Sequence, residues 1–228
     1  MSQAKSQPAC AVGAIALAAV DYAWAFGYYR GLYQSGKLLS AARASGDTLG
    51  VLLTQNLLVS LPELLMAAVL LFVMKGRFVQ TMGLSLPQGR SRVSAGIALG
   101  VYAALLAVAL LLRKESALAI AYQWMYYLVF VALCEELEFR AVLPWLMERS
   151  GLPAWCVWAV PGVLFGCMHT LIPLVKGSGA AETVELLFSG MIGYMIMSYA
   201  MYRVRLWART LWLPVLIHAA LDFLGVIV

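Results

Sequence analysis

Charge is what this sequence has least of. Only 12% of its 228 residues are Asp, Glu, Lys or Arg, about half of the roughly 25% found in water-soluble domains. At 63% hydrophobic, against roughly 45–50% for soluble proteins, the chain lacks the polar surface needed to cover an aqueous globule. Histidine is nearly absent, with two residues. The four cysteines, Cys10, Cys134, Cys156 and Cys167, lie in or beside apolar runs without metal-type spacing, so they read as small buried hydrophobes. Internal repeats, low-complexity stretches and linkers are missing too. These absences exclude a large soluble domain, a DNA-binding module and a disulfide-stapled secreted protein. Lipid is the remaining solvent. At about 20 apolar residues per spanning helix, the length accommodates roughly six to eight spans. The net charge of +5 then implies contact with anionic membrane lipids and not with nucleic acid.

The apolar runs predict an all-α, polytopic transmembrane helix bundle of about seven spans, forming one integral membrane domain over 1–228. The spans fall at about 9–29, 49–74, 93–112, 117–147, 153–175, 183–202 and 211–228. Each is long enough to cross and is closed by basic or turn residues. The first run reads as an anchor and not as a cleaved signal, because it continues through Trp24, Phe26 and Tyr28. With a cytoplasmic N-terminus, Lys5, Lys75, Arg77, Arg90, Arg92, Arg140, Arg149, Arg203, Arg205 and Arg209 face inside. Arg30, Lys37, Arg43, Arg113, Lys114 and Lys176 face outside. Ten against six favours that orientation in a plasma (inner) membrane. Gly96 and Gly100 form a small-residue pair suited to close helix packing.

Ionisable side chains inside a span cost several kcal/mol unless they face a polar interior, so each is a functional candidate. Here they cluster. Span four carries Glu135, Glu136, Glu138 and Arg140; span five carries His169; span seven carries His218 and Asp222. Glu136 and Arg140, four apart, share a helix face and can pair; His218 and Asp222 do likewise. Glu135 points about 100° away from Glu136. Glu135 lies 16 residues before Gly151 and His169 lies 18 after it. If the chain turns there, the two differ in depth by roughly 3 Å, and a carboxylate and an imidazole so placed can share one water. Asp21 and Glu63 are intramembrane acids outside this cluster, expected to pair with neighbouring helices.

Glu135-Glu136…Arg140, Phe165…His169 and His218…Asp222, each on its own span, resemble the ordered motifs of the CPBP intramembrane protease family. That family includes the type II CAAX prenyl endopeptidase and bacterial proteins tied to bacteriocin processing and self-immunity. The resemblance covers about 120–228, the last four spans, with a weaker echo at Met82-Gly83-Leu84. It implies an endopeptidase acting on a membrane-associated, CAAX-like or lipid-modified protein, or on a small peptide precursor. Glu135 would be the general base and His169 would orient the same water. Glu136 and Arg140 would hold the helix and tune the field, and His218 with residue 222 would stabilise the oxyanion. Many members have Asn where this chain has Asp222. An ionised Asp only accepts hydrogen bonds, so Asp222 either orients His218 or donates in its protonated form.

Two chemistries stay open at this level. Glu135, His169 and His218 make a His₂Glu set adequate for zinc, with Glu136 and Asp222 in reserve; the local His-Glu-x-x-His signature is missing. A glutamate-dependent mechanism without metal is the other, and the one favoured. A Cys134 or Cys167 nucleophile is unnecessary if water attacks. The competing reading from a different class is a non-catalytic immunity or scaffold protein of the same fold. An ion-coupled transporter is disfavoured by the lack of repeats. Oligomeric state is not legible.

Overall fold

A computed structural model describes residues 7–38, 49–74, 82–112, 115–177 and 179–227. All regular structure among them is helical: α1 (Pro8–Gln34), α2 (Leu49–Met74), α3 (Arg90–Leu112), α4 (Ala117–Ser150), α5 (Cys156–Met168), α6 (Leu171–Val175), α7 (Ala180–Ala208) and α8 (Trp212–Ile227). Six segments are long and apolar enough to cross a membrane: α1, the central part of α2, α3, α4, α5 with α6, and α7. The predicted seventh span is shorter. At 16 residues α8 is about 24 Å long, against a hydrocarbon core of about 30 Å. Lys5, Arg43, Lys75, Arg77, Arg113 and Lys114, which enter the orientation count, lie outside the described residues.

Local chemistry accounts for the helix ends. Ser116 caps α4, its hydroxyl accepting from the Ala119 N–H at 3.2 Å. Within α4 the backbone widens into π-helical turns over Tyr127–Ala132 and Leu137–Val142, on either side of the ordinary helical turn Leu133–Glu136. Such turns gather at functional sites. Gly151 stops α4 with φ +79°, a conformation glycine adopts without strain. Span five is broken, not continuous. Pro173 has no N–H to bond back to residue 169 and its ring would crowd that carbonyl. The helix therefore ends at Met168 and restarts at Leu171, with the Thr170 hydroxyl donating to the Cys167 carbonyl at 2.7 Å.

The chain forms two compact units, divided at Leu38/Leu39, Leu137/Glu138 and Arg203/Val204. The first unit holds α1, the end of α4, α5, α6 and most of α7. Its core is Ala14, Phe139, Leu143, Met147, Val157 and Phe165. Tyr22 of α1 donates its hydroxyl to the Leu164 carbonyl. In lipid the hydrophobic effect does not drive helices together, so close packing and interhelical hydrogen bonds carry the cohesion. Gly162 and Gly166 of α5 supply that closeness. A methyl group at Gly162 would meet Ser198 Cβ at 2.9 Å and Met195 Sδ at 3.0 Å, and one at Gly166 would meet Met191 and Tyr194 at 3.1 Å. The packing predicted for Gly96 and Gly100 is not made there, since nothing lies within 4 Å of a methyl at either. The buried stripe of α3 is Ser91, Ala95, Tyr102 and Ala109, and both glycines sit off it.

The second unit holds α2, α3, the first part of α4, the end of α7 and α8. Tyr102 stacks on Trp124 with ring centroids 4.8 Å apart and meets the edge of Phe223 at 6.0 Å. The Tyr102 hydroxyl donates to the Trp124 carbonyl, and the Trp124 indole donates back to the Tyr102 carbonyl at 3.0 Å. Ser60 of α2 bonds the Tyr126 hydroxyl at 2.6 Å. The Met82-Gly83-Leu84 segment is pinned to the turn before α8. The Leu211 N–H donates to the Gly83 carbonyl at 2.6 Å, and the Trp212 indole donates to Leu84 at 3.0 Å. Met82 is fully buried.

Candidate active site

The predicted site residues fall into two sets, one in each unit. In the second unit α4 brings Glu135 and Glu136, and α8 brings His218 and Asp222. The ring of His218 is the centre of this set. Its Nδ1 lies 2.9 Å from Glu136 Oε1, and its Nε2 lies 3.5 Å from both Glu135 Oε2 and Asp222 Oδ2. Glu136 is wholly buried and His218 is 3% exposed; Glu135 is 12% and Asp222 30% exposed. The set therefore opens on the Nε2 side and is sealed on the Nδ1 side.

Sequence reasoning grouped His218 with Asp222 and missed its bond to Glu136. Two carboxylates about 100° apart on one helix can both reach a single imidazole, because its nitrogens sit on different edges of the ring. An ionised carboxylate only accepts, so Glu136 fixes a proton on Nδ1. That leaves Nε2 to exchange protons or hydrogen bonds with whatever enters beside Glu135.

The first unit holds Arg140 and His169. Arg140 is fully buried, its guanidinium 4.2 Å from the centre of the Phe165 ring, a cation–π arrangement suited to a desolvated arginine. Phe165 also meets Phe139 edge-on at 5.3 Å and His169 at 4.5 Å. The Phe165 carbonyl lies 2.9 Å from His169 Nδ1. With Nδ1–H donating to it, the exposed imidazole presents Nε2 as an acceptor. The four-residue spacing of Phe165 and His169 thus has a local purpose: the phenylalanine's carbonyl sets the tautomer and its ring sets the tilt. Tyr194 also stands against His169, 4.8 Å between ring centres, and meets the Phe165 ring at 5.6 Å. Glu138, also buried, lies in this unit.

Asp21 departs from its predicted pairing. It is fully buried in α1, and among the described residues neither carboxylate oxygen has a hydrogen-bond partner. The neighbouring Tyr22 gives its hydroxyl to Leu164 instead. The four cysteines are free thiols, Cys134 and Cys156 buried. Among the described residues no group of three or more His, Cys, Asp or Glu side chains is arranged to hold a metal ion. The zinc donors Glu135, His169 and His218 therefore form no such group.

Residues 116–224 match the family model described as Type II CAAX prenyl endopeptidase Rce1-like. Over this segment the chain is similar to the Rce1-like family. The matched segment contains all six predicted site residues and runs from the cap of α4 to within α8. Intramembrane endoproteolysis of the CAAX type is the general activity this match supports, with a lipid-modified protein or peptide as the class of substrate. With six long apolar segments among its described residues, the chain is an integral membrane protein. No curated protein matches the chain, and no solved structure does.

Proposed function

We propose that the protein is a glutamate-dependent intramembrane endopeptidase that hydrolyses a peptide bond in a membrane-associated, CAAX-like or small precursor substrate. The observation that carries this reading is the imidazole of His218, bonded to Glu136 on its buried side and facing Glu135 and Asp222 on its open side. A base beside a proton-carrying ring, with that ring oriented by a third group, is the recurring arrangement for activating a nucleophile.

In the proposed cycle Glu135 takes a proton from water as the water oxygen bonds to the scissile carbonyl carbon. His218 donates Nδ1–H to Glu136 and Nε2–H to the oxyanion that forms. The tetrahedral adduct collapses, the C–N bond breaks, and the proton held by Glu135 passes to the leaving amine. Glu135 returns to its carboxylate and the new carboxyl end departs. Asp222 serves as a resting acceptor for the His218 Nε2–H. The assignment of His169 to the same water rests on helical register and the family motif. Arg140 offsets the charge of the acid-rich segment.

The test compares membrane and secreted peptides by mass spectrometry, in cells holding equal membrane levels of wild type and Glu135→Gln. Peptide ends made only by the wild type are expected, and they name the substrate. Identical peptidomes would overturn the protease reading in favour of a non-catalytic immunity or scaffold protein.

A further inference from the structure

Away from the acid cluster, the second unit contains an open cavity of about 440 Å³, between the start of α3 and the end of α7. Its walls include Arg90 and Arg209, the polar groups of Ser85 and Gln88, and the side chains of Leu86 and Trp207. Among the described residues no carboxylate lines it. Two arginines lining one space, with no acidic residue among the described residues that line it, invite an anion. Arginine's planar fork suits phosphate oxygens in particular, and the volume lies in the range of about 300–1,000 Å³ usual for small-ligand sites.

The surroundings say which phosphate. Trp207, at the end of α7, is 60% exposed, where indoles sit at headgroup level, and Leu86, in the loop before α3, is 78% exposed. A free anion has no use for such a rim, whereas a phospholipid places its phosphate among the arginines and its glycerol and first methylenes against the indole and leucine.

The cavity is also built and not merely left over. The Thr210 hydroxyl reaches the carbonyls of Gly83 at 3.2 Å and Ser85 at 3.0 Å. The Ser91 hydroxyl bonds the Gln88 carbonyl at 2.7 Å, so both walls are tied down. Arg209 has φ +52°, the one non-glycine residue with positive φ among those described. Glycine would hold that turn without strain. An arginine there keeps strained backbone beside a cationic pocket, and such outliers gather at ligand clamps.

We propose that this cavity binds the phosphate of an anionic phospholipid headgroup, held by Arg90 and Arg209 with Trp207 and Leu86 against the lipid's apolar shoulder.

The test is native mass spectrometry of the full chain, purified and presented with phosphatidylglycerol or phosphatidylcholine, at low and high salt. Each guanidinium near a charged headgroup is worth about fivefold, so the pair predicts a preference of about twenty-fivefold for phosphatidylglycerol. That preference should shrink at high salt and vanish in Arg90→Gln/Arg209→Gln. Arg209→Gly relieves the backbone, so it should unfold no earlier than wild type while losing about fivefold in preference; it separates lost binding from lost fold. Equal retention of the two lipids by the wild type, or a preference unchanged in the double variant, would overturn the proposal. Saturation by inorganic phosphate without any lipid preference would also overturn it, by assigning the cavity to a free anion.

Discussion

Replacing Glu136 by Gln is the sharpest probe of the His218 centre, because it removes a charge and almost no volume. Glu136 is fully buried and His218 nearly so, with 2.9 Å between the bonded atoms. An amide oxygen can still accept from Nδ1–H, so helix contacts survive; interhelical hydrogen bonds in membranes are worth about 0.6 kcal/mol on average. What disappears is the charge opposite the ring when His218 donates from both nitrogens. The smallest effect is the loss of charge assistance, about 1.5 kcal/mol or tenfold in rate. The largest is the full attraction of two charges about 4 Å apart at an effective dielectric near 20, about 4 kcal/mol or roughly a thousandfold. Glu136→Gln should therefore lower kcat about 10- to 1,000-fold at nearly unchanged KM, measured per folded molecule on the substrate peptide in reconstituted vesicles. A variant within threefold of wild-type kcat, at equal folded protein, would show that Glu136 does not orient His218 for chemistry.

Asp222 and the α5–α7 contact give two further outcomes. Asp222 is 30% exposed and 3.5 Å from Nε2, so its charge is worth at most about 1 kcal/mol. Asp222→Asn should keep kcat/KM within about fivefold, and a loss beyond a hundredfold would make Asp222 essential to the reaction. Gly162→Val overpacks the contact with Ser198 and Met195 and should cost about 1–3 kcal/mol, seen as earlier thermal unfolding in detergent. Gly96→Val, into open space, is the control; equal unfolding of the two would refute the packing argument.

The legible parts of this molecule were those fixed within one helix. The second span was read to its observed ends at 49 and 74 because hydropathy alone sets them. His218 with Asp222 was legible as a four-residue pair and Phe165 with His169 through the family motif, and both are close in the structure. The bond from Glu136 to His218 spans 82 positions and depends on how two helices are registered, which periodicity along either does not contain. Small-residue packing failed for a related reason. Gly96/Gly100 and Gly162/Gly166 have the same spacing, and only the buried face of each helix distinguishes them. The break after Met168 was within reach, since Pro173 announces it. Asp21 shows the opposite limit: its burial was readable from the apolar run, its lack of a hydrogen-bond partner was not.

The two π-helical stretches of α4 have a consequence for its length as well as its composition. A wide turn holds one residue more than an ordinary one, so Tyr127–Ala132 and Leu137–Val142 act as phase shifters on either side of the Glu135-Glu136 pair. Deleting a single residue from the first would restore the standard winding at small cost in rise. The pair would then keep its direction, whereas deleting one residue from the ordinary turns of Ala117–Tyr126 would swing it by about 100° against the start of the helix, away from the direction of His218. Side chains in this segment can be exchanged one for another with local effects, whereas the count of residues sets the azimuth of the acids. The spacing between Ser116 and Glu135 is thus as much a part of the site as the acids themselves.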